Sequence, residues 1–476
     1  MTDADRHAAM VALLRQFARA DRRRLFAFSS GVVGAVPMAD AQALDYAQGR
    51  APFALLATLA LDAVKFIFAA LLPARNAALL ARALLRKALN GAPGPLHARS
   101  VISVGPHAAA TDPYFGAFLA AEREPYNYLK IVGGAALRER GWRFVETELS
   151  YPALLTLALL GLLHPLLMLA SLAAGAARVD GWNAKLLFLL LGCRETHRGT
   201  AFQNQLMAAA LAVHLQGTVV RSIFFPMEGR NWEKQLVSRA NARGARSTGY
   251  LHCALTPRHA GLLNAEFFAG AELPSVLRTP GPMAAKAIAP NLPSVQVRSG
   301  YFIRGDRAAG GAPARGDALL FALTGNVEES QRILQAIAGL PAGPDRPLVR
   351  LNPNAASHAR LAREARGLGL ELWSAGAAAP RLCFFRSSSV AIGYLRSGVV
   401  PVYLDLGEAI SNNSFDVDGA QRFERISLDE GFAGAVAALA QKYAAAGLPD
   451  EPALADYYLD QSYQGKALAG LNELSQ

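Results

Sequence analysis

Cysteine is scarce in this chain. Only Cys193, Cys253 and Cys383 occur among 476 residues, far apart and in apolar surroundings. That usage argues against a disulfide scaffold and supplies no zinc-ligand spacing, so the three read as buried free thiols in a reducing compartment. Charge is thin too, at 18% of residues, and acid is the scarcer sign: 37 Asp and Glu stand against 48 Lys and Arg, a formal net charge of +11. Such a surplus suits nucleic acid or anionic lipid. Nucleic acid is disfavoured, because there is no RNA-binding aromatic signature and no long basic stripe. The basic residues are scattered Arg, clustered only at Arg22-Arg23-Arg24 and around 239–246. The start, Met-Thr-Asp-Ala-Asp-Arg, leads into no apolar signal core, which predicts a cytoplasmic protein. No Asp-x-Asp pair stands in a metal-binding loop position. Asp416-Val-Asp418 has the spacing but falls past the sheet strands, so no metal ligand is assigned.

What the chain has instead is apolar length. Residues 53–74 are interrupted in charge by Asp62 and Lys65, and residues 152–177 are broken only by Thr156, His164, Pro165 and Ser171. The second run is long enough to span a bilayer. Three readings stand: a membrane-surface helix or shallow hairpin bent at Pro165, a buried core helix, or a true span. The first is favoured, since the segments on either side of the run belong to one domain.

The rest alternates short apolar strands with helical patterns, and 476 residues accommodate two or three domains. Residues 1–95 read as an apolar helical decoration that touches the membrane, closed by the breaker cluster Asn90-Gly-Ala-Pro-Gly-Pro95. Residues 96–280 read as a Rossmann-like domain that carries the insertion 152–177. Its strands are expected near 100–105, 143–149, 219–225 and 247–252. Residues 274–299 look Pro-rich and irregular, and the crossing to the second domain is placed there. Residues 281–450 read as a second Rossmann-like domain, with a helix at 327–338 and strands near 318–324, 348–351, 370–373, 382–385 and 399–404. A final helix is expected over 451–476. The predicted fold class is α/β: two Rossmann-like domains facing across a cleft.

Two stretches carry chemistry. In the first, Ser387-Ser388-Ser389 follows an apolar strand and opens a helix that Gly398 closes, before Pro401 in the next strand. Free N–H groups and the positive end of the dipole at such a turn suit phosphate, though the same residues also serve as an ordinary helix cap. In the second, Glu228-Gly229 ends a strand within Phe224-Phe-Pro-Met-Glu-Gly-Arg-Asn-Trp232-Glu233-Lys234. A carboxylate at a strand's carboxyl end stands where open α/β sheets bind ligands and can take a proton from a hydroxyl. His252 ends the following strand, where it either orients Glu228, touches a donor, or is a satisfied core histidine. His107 and Asp112 follow the first strand and line the acceptor side, with helix N-cap the competing role for Asp112. Asp405, Glu408 and Asn412-Asn413 form a polar loop after the last strand, which either contacts donor or acceptor or is merely solvated.

The Glu-Gly…Trp-Glu string, followed by Gly249-Tyr-Leu-His252, resembles the signature of bacterial surface-carbohydrate biosynthesis proteins. With the serine turn and the Gly398-x-x-Pro401-Val element it also resembles the short motifs of GT-B sialyltransferases and 3-deoxy-octulosonate transferases. The resemblance runs from about residue 100 to the carboxyl terminus and is strongest at 219–252 and 382–404. It implies that Glu228 is the catalytic carboxylate; by position beside it, His252 is taken as its catalytic partner and Gly229, which lets a partner approach the backbone, as part of the acceptor side. It also implies that Gly325, Asn326, Arg350, Asn352, Pro353, Ser387, Ser388 and Ser389 bind the donor. The chain departs from that pattern at Asn352-Pro353, where those families carry His-Pro. An amide still donates a hydrogen bond but carries no charge, and Arg350 compensates toward a phosphate. No carboxylate stands near Gly393-Tyr394 to hold ribose hydroxyls, which argues mildly against UDP- and GDP-sugars. The implied activity is transfer of a CMP-activated, acidic sugar to a lipid-linked or glycan acceptor. The protein would be peripheral or monotopic on the cytoplasmic face of the inner membrane. The nucleotide sugar is a substrate and no cofactor is required. Two alternatives remain open: a UDP-sugar or polyol-phosphate transferase of the same architecture, and an inactive membrane-bound assembly factor, for which Asn352 is the best argument.

Overall fold

The computed structural model describes residues 3–22, 26, 30, 64, 71–90, 96–103, 112, 115–130, 143–197, 200–216, 219–300, 316–341, 347–352, 358–374, 379–386, 389–408, 410–418, 423–444 and 452–459. Two all-parallel sheets organise them. The first holds β1 Arg99–Ser103, β2 Asn127–Lys130, β3 Arg143–Phe144, β4 Ser222–Pro226, β5 Arg246–Tyr250, β6 Val276–Arg278 and β7 Gln296–Arg298, in the order β3-β2-β1-β4-β5-β6-β7. The second holds β8 Leu319–Ala322, β9 Pro347–Arg350, β10 Glu371–Leu372, β11 Leu382–Phe385, β12 Val400–Asp405 and β13 Glu424–Ser427, in the order β10-β9-β8-β11-β12-β13.

Both sheets run outward from their first strand, then reverse, which is the doubly wound order of Rossmann-like domains. The sequence reason is visible in the central strands. Parallel strands covered on both faces are apolar without alternation, and Ile223-Phe224-Phe225 and Leu382-Cys383-Phe384-Phe385 are buried throughout. Phe321 stacks on Phe384 across β8 and β11, with centroids 4.4 Å apart. In open α/β sheets such a reversal is where ligands bind, which here is at the carboxyl ends of β1 and β4 in the first sheet and of β8 and β11 in the second.

The first sheet extends further than the sequence predicts. The expected boundary at 280/281 cuts through it, because β7 pairs with β6. The stretch 274–299, expected to be irregular, holds β6, the helix Pro282–Ile288 and β7. Three-residue strands flanked by proline are too short to show a periodic pattern. The segment expected as a strand at 143–149 is a two-residue strand followed by the 3-10 turn Val145–Glu148, and β2 went unanticipated.

The run 152–177 forms part of one uninterrupted helix, Tyr151–Ala176, not a hairpin bent at Pro165. A proline inside a helix removes one hydrogen bond, and packing on both sides of it holds the axis. Leu154 before it and Met168 and Leu172 after it are buried. The neighbour, Trp182–His197, approaches closely at two glycines. A Cβ on Gly192 would lie 2.0 Å from Leu172, and one on Gly175 would lie 2.7 Å from Phe188. Among the described residues, no helix is long and apolar enough to cross a membrane. The amino-terminal helix Asp3–Ala20 joins this group through Phe17 against Phe188, and reaches the first domain through Arg15 to Asn264 at 2.7 Å. The helix Pro452–Tyr458 returns to the first domain, where the backbone of Tyr457 and Tyr458 abuts Gly281.

Candidate active site

Glu228 sits one residue beyond Met227 at the carboxyl end of β4, beside the reversal of strand order. Its turn is built by its own motif. Gly229 has φ +88°, a left-handed conformation that a side chain disfavours. Its conformation is what the fold requires of this glycine: within the chain, a Cβ there would make only ordinary contacts with Leu262 and Phe268, at 3.7 Å. The Glu233 Oε2 oxygen accepts the backbone N–H groups of Glu228, Gly229 and Arg230 at 2.9, 2.7 and 2.9 Å. Glu233 is the third residue of the helix Asn231–Ala242, a position from which a carboxylate reaches back over the helix start. Trp232 beside it is buried edge-on against Phe225. The Glu-Gly…Trp-Glu string is thus a presented carboxylate, a glycine that allows the turn, an aromatic anchor and a carboxylate clamp.

The Glu228 carboxylate is surrounded by cationic and donor groups. Arg230 Nε donates to Oε2 at 2.8 Å, and His252 Nε2 lies 3.3 Å from Oε1. Cys253 Sγ is 3.9 Å from Oε1 and 3.6 Å from His259 Nε2. Burial pushes Glu228 up, but the charges of Arg230, His252 and His259 outweigh it and hold the carboxyl at about 2. Arg230 is 56% exposed, so solvent screens part of its pull. Burial, with the Glu228 charge second, pushes Glu233 up to about 8 against the opposing pull of Arg230 and the backbone N–H groups. An ionised carboxylate at such a strand end can accept a hydroxyl proton or hold a cation. Glu228, His252 and Cys253 also offer three metal-binding atoms within 4.8 Å of one another.

Cys253 therefore departs from its expected apolar setting, since it lies among Glu228, His252 and His259 once the chain turns after β5. Neither Cys253 nor His259 was singled out in the sequence, because the strand end and the turn that join them to Glu228 are tertiary. Glu233 carried a signal that could have found its role, the capping-box spacing three residues after Arg230.

Asp112, expected on the acceptor side or as a cap, is enclosed. Its Oδ1 accepts the Phe115 N–H at 3.0 Å, and its Oδ2 accepts the hydroxyls of Ser103 and Tyr128, with Lys130 Nζ at 3.9 Å. The buried Ser103, Tyr128 and Lys130 come from the ends of β1 and β2 and satisfy it, so the cap and anchor role replaces the acceptor role. A serine–histidine–glutamate chain also exists. Ser100 Oγ lies 2.9 Å from His214 Nε2, and His214 Nδ1 lies 3.3 Å from Glu148. It is sealed, with Ser100 fully buried at the opposite half of β1 and Asn127 donating to the same hydroxyl, so it braces the sheet.

At the reversal of the second sheet, Gly325 and Asn326 follow β8. Asn326 caps the helix Val327–Ala338 by accepting the N–H of Glu328 at 2.9 Å and of Glu329 at 3.4 Å. Asn352 approaches Gly325, since a Cβ there would lie 3.7 Å from its Nδ2. Arg350 ends β9 with its guanidinium 4.9 Å above Trp373. Ser389 opens the helix Ser389–Tyr394, and Gly398 closes the following turn at φ +66°. The structure thus brings together Gly325, Asn326, Arg350 and Asn352. His107, Pro353, Ser387 and Ser388 lie outside the described residues.

Arg386, just before the serine turn, is 1% exposed and committed elsewhere. It donates to Glu408 at 2.9 Å and Leu404 O at 3.2 Å, and pairs with Glu329 at 3.0 Å. Glu408, expected in a polar loop that either contacts donor or acceptor or is solvated, accepts from Tyr403 and Arg386 and stays nearly sealed. Asp416 pairs with Arg425 and Ser411, and Asn413 caps the turn Ser414–Asp416. Arg258, in the loop after β5, reaches Glu329 at 3.8 Å and donates to Ile410 O at 3.3 Å, so the carboxyl-end loops of the two sheets meet. Comparison with protein-family models finds no match, and comparison with curated proteins finds none either.

Proposed function

We propose that this chain is a GT-B glycosyltransferase of surface polysaccharide or lipopolysaccharide biosynthesis, transferring an acidic, CMP-activated sugar to a lipid-linked or glycan acceptor. The observation that carries the reading is the Glu228 carboxylate, which Glu233 clamps at the carboxyl end of β4 beside the reversal of strand order. Its Oε1 takes the acceptor proton as the hydroxyl attacks, and His252 orients it. The donor lies at the reversal of the second sheet, against Gly325, Asn326, Arg350, Asn352 and the serine turn. There the N–H groups and the Arg350 charge stabilise the phosphate that leaves with the nucleotide. The Arg258–Glu329 contact supports a shared site, since it joins the loops that would carry acceptor and donor. Water is excluded between them.

Membrane contact is the second element of the reading. Leu155, Leu159, Leu163 and Leu166 project from the helix Tyr151–Ala176 at 62%, 59%, 53% and 65% exposure. Trp182 is 77% exposed nearby in sequence, and Leu84, Leu85 and Leu89 are exposed on the helix Leu71–Asn90 that packs against it. A leucine face of this kind with an exposed indole suits the boundary between headgroups and acyl chains. It would set the catalytic site beside a lipid-linked acceptor.

The experiment is a melting series with CMP, UDP and GDP. Stabilisation by CMP, of about 2.7 kcal/mol at a hundredfold excess over Kd, followed by sugar transfer from a CMP-sugar, supports the reading. Stabilisation by UDP alone moves the donor to a UDP-sugar, and no response to any nucleotide removes the transferase.

A further inference from the structure

We infer that Glu228, His252 and Cys253 form a binding site for one zinc-class divalent cation. The three donor atoms are a carboxylate oxygen, an imidazole nitrogen and a sulfur, all within 4.8 Å of one another. A tetrahedral zinc ion bound at about 2.0 Å to nitrogen and oxygen and about 2.3 Å to sulfur sets its donors about 3.3–3.6 Å apart. Here Nε2 and Oε1 are 3.3 Å apart, and Sγ and Oε1 are 3.9 Å apart. The imidazole and carboxylate already have bonding spacing, and the Cys253 sulfur must move inward, toward Glu228 and from within 4.8 Å of the His252 donor, to complete the set. Sulfur beside imidazole selects zinc over magnesium or calcium.

The local chain explains how two consecutive residues serve one ion. In a strand they would point to opposite faces. The strand ends at Tyr250, and His252 and Cys253 stand in the turn beyond it, facing the Glu228 turn at the end of the neighbouring strand. Glu228 keeps Oε2 on Arg230 and offers Oε1 alone, so it binds through one oxygen. One carboxylate and one thiolate balance the 2+ charge. Binding releases the Cys253 proton to solvent, and no other bond changes.

His259 completes the surroundings from outside. The Thr256 N–H donates to its Nδ1 at 3.1 Å, so the neutral ring carries its proton on Nε2. That proton points at Cys253 Sγ, 3.6 Å away. A hydrogen bond to a metal thiolate orients it and tunes its affinity. Three protein donors leave a fourth position for water or a substrate oxygen. The site stands on donor spacing and not on the transferase reading. Both use Glu228 Oε1, so a loaded site and a free base exclude each other.

The test is titration of cobalt(II) into full-length protein stripped with chelator under reductant. One equivalent should produce intense tetrahedral d–d bands and a thiolate-to-cobalt charge-transfer band, both removed by zinc. Cys253→Ser should lose the charge-transfer band while Cys193→Ser and Cys383→Ser keep it, and His259→Ala should weaken affinity about ten- to a hundredfold. A weak octahedral spectrum, or a charge-transfer band that survives Cys253→Ser, overturns the site. If Cys253→Ser does not fold, zinc protection of Cys253 from alkylation in the wild-type protein, read by mass spectrometry, decides instead. Protection supports the site, and an unchanged rate overturns it. Metal-free protein serves for the nucleotide melting series, so failure of either proposal leaves the other readable.

Discussion

Glu233 holds Glu228 in place through the backbone: one carboxylate oxygen of the former gathers three consecutive N–H groups that begin at the latter. Glu233→Ala strands those three groups in a nearly buried turn. The expected loss is about 2–4 kcal/mol, read as a lower urea midpoint. Glu233→Gln keeps a carbonyl acceptor and should lose less. Equal, wild-type midpoints for both variants would show that the turn holds itself.

Glu228 itself should be dispensable for folding and not for turnover. In the proposed transferase, Glu228→Gln keeps the shape and a hydrogen bond to Arg230 but cannot take a proton. The nucleotide-induced rise in melting temperature should persist while turnover falls by roughly a hundredfold or more. Near-normal turnover removes Glu228 from the mechanism.

The pair Arg386–Glu408 sets an acid limit on the second domain. Burial raises Glu408, but the Arg386 guanidinium and the Tyr403 hydroxyl outweigh burial and hold it at about 2, below its ordinary 4.5. The folded pKa is depressed, so the stabilisation is fully present above pH 4.5 and is lost as pH falls toward 2. It amounts to on the order of 3 kcal/mol. Glu408→Gln should flatten that part of the pH profile of the urea midpoint. It should also cost about 3–5 kcal/mol at pH 7, since Arg386 is left buried with Glu329 as its remaining carboxylate. An unchanged pH profile in the variant counts against the pair as its source.

The architecture was legible where strands are long and apolar. The central strands β4, β8, β11 and β12 and the helix Val327–Ala338 lie within a residue or three of the positions that their patterns predict. The edges were less legible: β10 falls inside the expected 370–373, but β3 is cut to two residues, β6 and β7 are three residues each and take their pairing from the sheet, and β2 and β13 were not expected. At the site, Glu228 stood out by its place at a strand end, and His252 by the next one. Cys253 and His259 did not, since only the pairing of β4 with β5 brings their turn against Glu228. Asp112 was ambiguous for a different reason: a carboxylate before a proline reads equally as cap or ligand until Tyr128 and Lys130, from a strand the pattern missed, are seen to enclose it.

Gly281 is required by space and not by conformation. Its φ is −158°, extended backbone open to any residue, yet a Cβ there would lie 2.5 Å from the Tyr458 carbonyl oxygen. Gly281→Ala should push the helix Pro452–Tyr458 off the first domain. Limited proteolysis should then cleave near that helix faster, with a loss of about 1–3 kcal/mol. Cleavage at the wild-type rate would mean that the helix yields without detaching.

The exposed leucine face should bind bilayers by area first and charge second. Leu155, Leu159 and Leu163 recur every fourth residue on one side of the helix Tyr151–Ala176, while Leu154 and Leu172 on the other side are buried. Replacing the three exposed residues with Ser leaves the buried side untouched, so the melting temperature should hold. Each leucine contributes about 1.5–3 kcal/mol when fully withdrawn from water, so losing even part of three such contributions lowers vesicle affinity by more than tenfold. The net charge of +11 adds attraction to anionic lipid, which salt weakens. Co-sedimentation should therefore be strongest with anionic vesicles at low salt, persist in part at high salt, and fall sharply in the triple variant at both. Binding that vanishes in salt and ignores the triple variant would make the attraction purely electrostatic and free the leucine face for another partner.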